Sequence, residues 1–234
     1  MNIVSEGLFG EKFQVLQTKE AFVYGKLLSD NYKGWIKKSD LSIGEKATHR
    51  VSKLRTFVYE KNDIKSNVIV TLPFGSNINI KSHDNKWSKI VFLNSKTSKG
   101  FLLSNALSSI DHLIKDWVTT AEMFINTPYK WGGRNSIGID CSALLQISLS
   151  SAGIQFPRDT SDQILSSQII RINRDQVNRG SLVYWKGHCA IFVDEINIIH
   201  SNAFHMLVKI EPFDLVSSRI EKEYNSSPKF FKVI

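Results

Sequence analysis

The stretch WGGRNSIGIDCSALLQ, Trp131 to Gln146, sets a cysteine between an acidic residue and an apolar run of helical character. Gly138-Ile139-Asp140 reads as an exposed entry turn, and the run that follows Asp140 ends at Gly153, a residue suited to the left-handed position that closes a helix. Cys141 therefore falls at the first turn of a helix spanning 141–152. Unpaired backbone N–H groups and the positive end of the helix dipole favour a thiolate there, which makes the position suitable for a nucleophile. On position alone a small buried core residue is the alternative, since free cysteine is commonly buried.

Working outward, Ile110, Ile114, Trp117, Val118, Ala121 and Phe124 recur at threes and fours, which predicts an amphipathic helix that Pro128 keeps from continuing. After Asn178-Arg179-Gly180 come three expected strands, 181–185, 188–193 and 197–201. Helices followed by an antiparallel meander make an α+β domain over 106–234. A three-residue loop at Val193-Asp194-Glu195 would pair 192 with 196, and so 188 with 200. His188 and His200 would then share one sheet face with Cβ atoms ~5 Å apart. One ring can serve as base for Cys141 and the other can orient it. A zinc site is the competing use of these residues. It fits less well, because His188 and Cys189 point to opposite faces of a strand. By the same alternation Cys189 is expected to face away from the site and to serve packing. His205 can add a polar wall, and His49, His83 and His112 read as surface residues.

The first hundred residues alternate short apolar runs with Gly, Asn, Asp and Ser, and read as small all-β structure. A pattern recurs within them. Leu8–Leu41 is echoed by Leu72–Leu103, with Gly10 aligned to Gly75 and Gly34-Trp35-Ile36 to Gly100-Phe101-Leu102. Two barrel-like units are expected, at 1–47 and 54–105, with the polar stretch Ser42–Lys53 as linker. A Phe-Gly turn, alternating strands and a closing Gly-aromatic-aliphatic step resemble the bacterial SH3 (SH3b) domain.

The blocks TPYKWGGRNSIGIDCSALLQISLSSAGIQFPRDTSDQ, RGSLVYWKGHCAIFVDE and IIHSNAFHM resemble, in order, the NlpC/P60 family of papain-like cysteine peptidases. The resemblance covers nearly all of 106–234 and implies Cys141 as nucleophile, His188 as base and His200 as the third, orienting residue. Ala143 stands where the family usually has Gly, and Cys189 where it usually has an aliphatic residue. Pairing with SH3b units is similar to the subgroup that cuts γ-D-glutamyl-diamino acid bonds in peptidoglycan stem peptides, in which the SH3b lobe walls off one end of the cleft. That resemblance implies a substrate L-Ala-γ-D-Glu-diamino acid, no metal or organic cofactor, and a substrate-binding set comprising Tyr129, Trp131, Asp140, Ser142, Asp159 and Thr160. Asp159 would receive the free α-amine of L-Ala. As plain structure, Tyr129 and Trp131 would be core aromatics and Asp159 a helix cap.

Composition agrees with a folded chain: 234 residues, 42% hydrophobic, with a formal net charge of +8. The lysines are dispersed rather than gathered into a basic arm, so solvated faces are expected and not a nucleic-acid partner. The opening residues carry no cationic stretch followed by an apolar segment. Neither a leader nor a membrane span is read there, and two cysteines suit a reducing compartment, which together give a cytoplasmic expectation in murein peptide recycling. Two other functions use the same sequence: a non-catalytic wall-binding SH3b scaffold, and a papain-like amidase or acyltransferase on another substrate.

Overall fold

A computed structural model describes residues 3–91 and 99–234. Phe92 of the repeat and most of the lysine-bearing stretch at 94–100 lie outside the described residues. The chain forms two compact units, one of residues 7–113 and one of residues 114–234 joined by the segment that ends at Glu6.

The all-β unit holds β1 (Phe13–Lys19), β2 (Phe22–Leu27), β3 (Lys33–Lys37), β4 (His49–Val51), β5 (Arg55–Tyr59), β6 (Val68–Pro73), β7 (Asn77–Ile78), β8 (Ile80–His83), β9 (Trp87–Ile90), β10 (Gly100–Leu103) and β11 (Leu107–Ser109). They pair as β1-β2-β3, β6-β5-β10-β9-β8 and β11-β4-β7. Val51, Val58, Leu72, Ile78, Ile90 and Leu102 make the core of its second half. The polar stretch 42–53, expected as linker, contains β4, which pairs with both β7 and β11. Its Val51 is fully buried, an apolar contribution hidden among polar neighbours.

The two halves share local geometry at the repeated positions. Gly10 and Gly75, each after a phenylalanine, take φ of 78° and 82°, which a side chain would strain. β3 and β10 each run into a short 3-10 turn, Lys38–Asp40 and Ser104–Ala106, with matching extended residues on either side.

The α+β unit holds α1 (Val118–Met123), β12 (Arg134–Asn135), β13 (Gly138–Ile139), α2 (Cys141–Ser151), α3 (Thr160–Gln163), β14 (Ile169–Ile172), β15 (Leu182–Trp185), β16 (His188–Phe192), β17 (Asn197–Asn202), β18 (Leu207–Pro212), α4 (Phe213–Tyr224) and β19 (Lys229–Val233). Six strands form one antiparallel sheet in the order β14-β19-β15-β16-β17-β18. α2 packs on β16 and β17, and is buried along nearly all its length, as its apolar composition on every side requires. The opposite face of the sheet, with Val183, Trp185, Ala190, Phe192 and Ile198, is covered by Phe213 and Val216 of α4.

The helix expected from Ile110 begins only at Val118. β11 continues to Ser109, and the Ile114 N–H donates to the carbonyl of Ser151, so the first half of that periodic stretch spends its backbone on other partners. The segment ending at Glu6 belongs to this unit through polar contacts. The Glu6 carboxylate accepts from the Arg134 N–H (3.0 Å) and the Asn135 amide (2.7 Å) and pairs with Lys130. Ser5 Oγ accepts from Arg158 Nε at 3.1 Å.

Candidate active site

α2 begins where the sequence places it. Asp140 is extended (φ −97°, ψ 178°) and its Oδ1 accepts from the Ala143 N–H at 2.9 Å, satisfying an otherwise unpaired donor of the first turn. At the other end, Gly153 takes φ 81°, its N–H donates to Ser150 and the next N–H donates to Leu149, a Schellman closure. Cys141 is thereby fixed as the first helical residue, 9% exposed.

Asp140 also holds the turn before it, because Oδ2 accepts from the Gly132 N–H at 2.9 Å. Behind it lies Arg158, whose side chain is 1% exposed. Its guanidinium donates to both carboxylate oxygens of Asp140 (3.0 and 2.6 Å) and to Ser142 Oγ (2.8 Å). Asp140 and Ser142, expected to line a substrate pocket, are buried members of this internal network. Arg158 was missed in the sequence, where a lone arginine in PRDT reads as surface charge.

The histidines share a face, but not in the expected register. Ile191 pairs with Ile199 and Phe192 with Ile198, so the hairpin is two residues longer than a three-residue loop allows. The cause is Asp194, whose Oδ1 accepts from the backbone N–H of both Ile196 and Asn197 and widens the turn. A shift of two leaves every side chain on its original face. His188 and His200 thus become diagonal neighbours, and their rings meet at 2.8 Å between His188 Nε2 and His200 Nδ1.

The chain of contacts continues to a residue absent from the sequence reading. His200 Nε2 lies 2.8 Å from Glu211 Oε2 on β18, and Glu211 also accepts from Arg219 (3.2 and 3.1 Å) and contacts His205 Nε2 at 3.0 Å. His205 therefore supports Glu211. Burial pushes the Glu211 carboxyl up, but hydrogen bonds from His200, Arg219 and His205 outweigh it and hold the group well below the usual carboxylate range. Burial lowers His200 to about 4, against the raising effect of Glu211, so the ring is neutral at neutral pH. An ionised carboxylate can only accept, so neutral His200 carries its proton on Nε2 and leaves Nδ1 as acceptor. His188 must then donate from Nε2, which leaves its Nδ1 to face Cys141. Stacking on Trp185, with ring centroids 5.8 Å apart, fixes the plane of the His188 ring.

Hydrogen bonding by Cys189 first, then by His188, draws the Cys141 thiol well below the usual range despite burial. This corrects the expectation for Cys189. Alternation does send His188 and Cys189 to opposite faces, but the Cys189 face is the one that α2 covers, so the thiol lies 3.8 Å from Gln163 Oε1, whose amide holds the Ser142 carbonyl in the first turn of α2. His188, as the first residue of its strand, reaches the Cys141 sulfur from the strand end.

Tyr129 is half-buried, and burial first, then the nearby Cys141 and Asp140 charges, raise its hydroxyl to about 12, so it remains a donor at neutral pH. Trp131 is 72% exposed, so the core-aromatic reading of it fails. Asp159 stands at the N-cap position of α3 without capping it through its side chain, and it and Thr160 are half-buried. Gln163 is fully buried: its amide donates to the carbonyls of Ser142 (3.0 Å) and Pro157 (2.8 Å), and its oxygen accepts from Tyr184 (3.4 Å) and Cys189 (3.8 Å). His49 is half-buried beside Thr48, and His83 and His112 are exposed. Among the described residues, no group of three or more His, Cys, Asp or Glu side chains is arranged to hold a metal ion.

A nucleophilic thiol at a helix start, a base with a fixed tautomer and a buried carboxylate behind it can carry out acyl transfer. Comparison with known proteins agrees. Residues 126–225 match the NlpC/P60 family, and residues 2–41 match the bacterial dipeptidyl-peptidase SH3 domain. The chain is similar to dipeptidyl-peptidase 6 of Lysinibacillus sphaericus, at 25% identity over 91% of the chain and 84% of the relative. It is also similar to the gamma-D-glutamyl-L-lysine dipeptidyl-peptidase of Bacillus subtilis, at 25% identity over 85% of the chain and 72% of the relative. The fold matches that of an NlpC/P60 family protein from Bacillus cereus with a TM-score of 0.78, at 22% identity over 90% of this chain and 77% of that one. Residues 126–225 are thus an NlpC/P60 domain and residues 2–41 an SH3 domain of the bacterial dipeptidyl-peptidase type, and the chain is a cysteine peptidase.

Proposed function

We propose that the chain hydrolyses the γ-D-glutamyl-diamino acid bond of peptidoglycan stem peptides that carry a free N-terminal L-Ala. The observation that supports this most strongly is the continuous chain from Cys141 through His188 and His200 to Glu211. His188 Nδ1 takes the Cys141 proton, and the thiolate attacks the γ-glutamyl carbonyl. Backbone N–H at the start of α2, with the Tyr129 hydroxyl, receives the developing oxyanion. His188 then protonates the leaving amine. Water, activated by the same ring, releases L-Ala-γ-D-Glu from the acyl-enzyme.

His200 holds the His188 tautomer, and Glu211 holds that of His200. Asp159 and Thr160 bind the substrate's amino end, with Trp131 and Tyr129 along the same cleft. The name of the Bacillus subtilis relative supports the γ-glutamyl specificity. The second half of the all-β unit is read as another SH3b copy, on the strength of the matching glycine and 3-10 turn geometry.

Incubation with L-Ala-γ-D-Glu-meso-diaminopimelate and with its L-lysine counterpart, followed by mass spectrometry, tests the substrate. Release of L-Ala-γ-D-Glu is expected. Turnover of neither peptide, by folded protein whose Cys141 alkylates normally, would overturn the assignment.

A further inference from the structure

Hydrolysis gives no task to the segment Ile3–Glu6, which belongs to the same compact unit as the active site. Glu6 is half-buried, and its acceptors are turned on the stretch 130–135. Oε2 accepts from the Arg134 N–H (3.0 Å) and the Asn135 amide (2.7 Å), Oε1 pairs with Lys130, and the backbone carbonyl accepts from Arg134 Nη1 at 2.6 Å. The backbone before Glu6 lies on Gly132, where a methyl group would come within 3.0 Å of the Val4 carbonyl carbon and 3.1 Å of the Ile3 oxygen. Trp131 stands between the residues gripped in this way and is 72% exposed. A ring so exposed gains little from packing, so its placement comes from the turn that carries it.

The start of α2 has other anchors. Asp140 keeps its bond to the Ala143 N–H and its buried pair with Arg158 whatever becomes of Glu6. The turn, by contrast, would lose one oxygen that serves two of its donors. We propose that Glu6 is a positioning residue for substrate: it sets the 130–135 turn so that Trp131 stands against the bound peptide. The inference rests on the place given to Trp131 along the cleft in the proposed function. Glu6 acts here through hydrogen-bond geometry more than through charge. Oε2 takes both bonds from the turn, whereas the ion pair at Oε1 is with a lysine whose side chain is 43% exposed and adds little. Losing Glu6 should therefore weaken binding and leave Cys141 and His188 as they are.

Steady-state kinetics on the stem peptide that wild type cleaves, with hydrogen exchange across residues 130–137 measured without peptide, test this on the full chain. Glu6→Ala should speed exchange at the Arg134 amide and raise KM roughly five- to tenfold, with kcat within about twofold of wild type. Glu6→Met, of similar length and without an oxygen, takes its place if the alanine variant does not fold. Glu6→Gln keeps an oxygen for Arg134 and Asn135 and should bring KM back to within about twofold. In a Trp131→Ala background, where KM is already raised, Glu6→Ala should add less than about twofold, because the ring it positions is gone. Unchanged exchange, unchanged KM, a fall in kcat alone, or full additivity with Trp131→Ala would overturn the proposal. Exchange needs no substrate: if wild type cleaves neither stem peptide, the γ-glutamyl reading falls while exchange alone decides whether Glu6 holds the turn.

Discussion

The proposed nucleophile, Cys141, and the proposed base, His188, are each backed by a buried carboxylate, and the two are set up differently. Asp140 spends its oxygens on fixed donors: the Ala143 and Gly132 N–H groups and an arginine whose side chain is 1% exposed. Glu211 is shared by two imidazoles and an arginine that is 23% exposed. The first holds backbone in place. The second holds protons in place, because each imidazole contact selects a tautomer. One site can therefore need rigid geometry on one side and a titratable relay on the other, and substitutions should separate the two.

The largest effect should come from the relay. His188→Ala removes the proton shuttle and should lower kcat/KM by ~10³-fold or more, while His200→Ala should fall short of that by about tenfold or more because only orientation is lost. Steady-state kinetics on variants shown to be folded decides this, and a nearly normal His188→Ala enzyme would remove the base from the scheme.

On the rigid side the expected loss is in stability. Asp140→Asn leaves the Arg158 charge buried without its anion and should cost about 3–5 kcal/mol in urea unfolding. Glu211→Gln should cost only about 1–3 kcal/mol, since Arg219 has access to solvent. Equal losses would erase the contrast between the two carboxylates.

The relay side should also carry the pH dependence of stability. His200 is lowered from 6.5 to about 4 on folding, so the unfolded chain binds the extra proton between those values. Its contribution is intact above pH 6.5 and is lost as pH falls towards 4, amounting to on the order of 3 kcal/mol. Glu211, whose carboxyl is depressed, contributes above its unfolded value and loses that contribution only at lower pH still. Thermal unfolding from pH 7 to 4 should fall steeply for wild type and less for His200→Gln. Parallel curves would contradict the neutral, buried His200.

The smallest effect belongs to substrate reading. Asp159→Ala should reduce cleavage of the free tripeptide by roughly tenfold and leave an N-acetylated peptide almost unaffected, because only the charged amine uses that carboxylate. Equal cleavage of both peptides by wild type would remove that role.

Much of this site was legible in the sequence because its signals are local. Asp140 and Gly153 delimit α2 by capping chemistry, and strand periodicity with a hairpin register of the right parity puts His188 and His200 on one face. What was hidden depends on tertiary pairing. Asp194 lengthened a turn by two residues without changing the face. Alternation gave the relative directions of His188 and Cys189, but only the packing of α2 decides which face meets the nucleophile. Glu211 reaches His200 through the pairing of β17 with β18, and Arg158 reaches Asp140 from a loop; neither spacing has a period to detect. β4 was concealed by polar neighbours, and the Ser5-Glu6 anchor by a composition that looks like solvent-facing chain.

The central claim is that Cys141 is the activated thiol, and the pH dependence of its alkylation tests this most directly. Brief iodoacetamide treatment across pH 5–9, with peptide mapping and residual activity measured together, should label Cys141 rapidly well below the ordinary thiol pKa of about 8.5. Activity should disappear in proportion, while Cys189 stays unlabelled. Preferential labelling of Cys189 with activity retained, or a Cys141 rate that rises only near the ordinary thiol pKa, would contradict it.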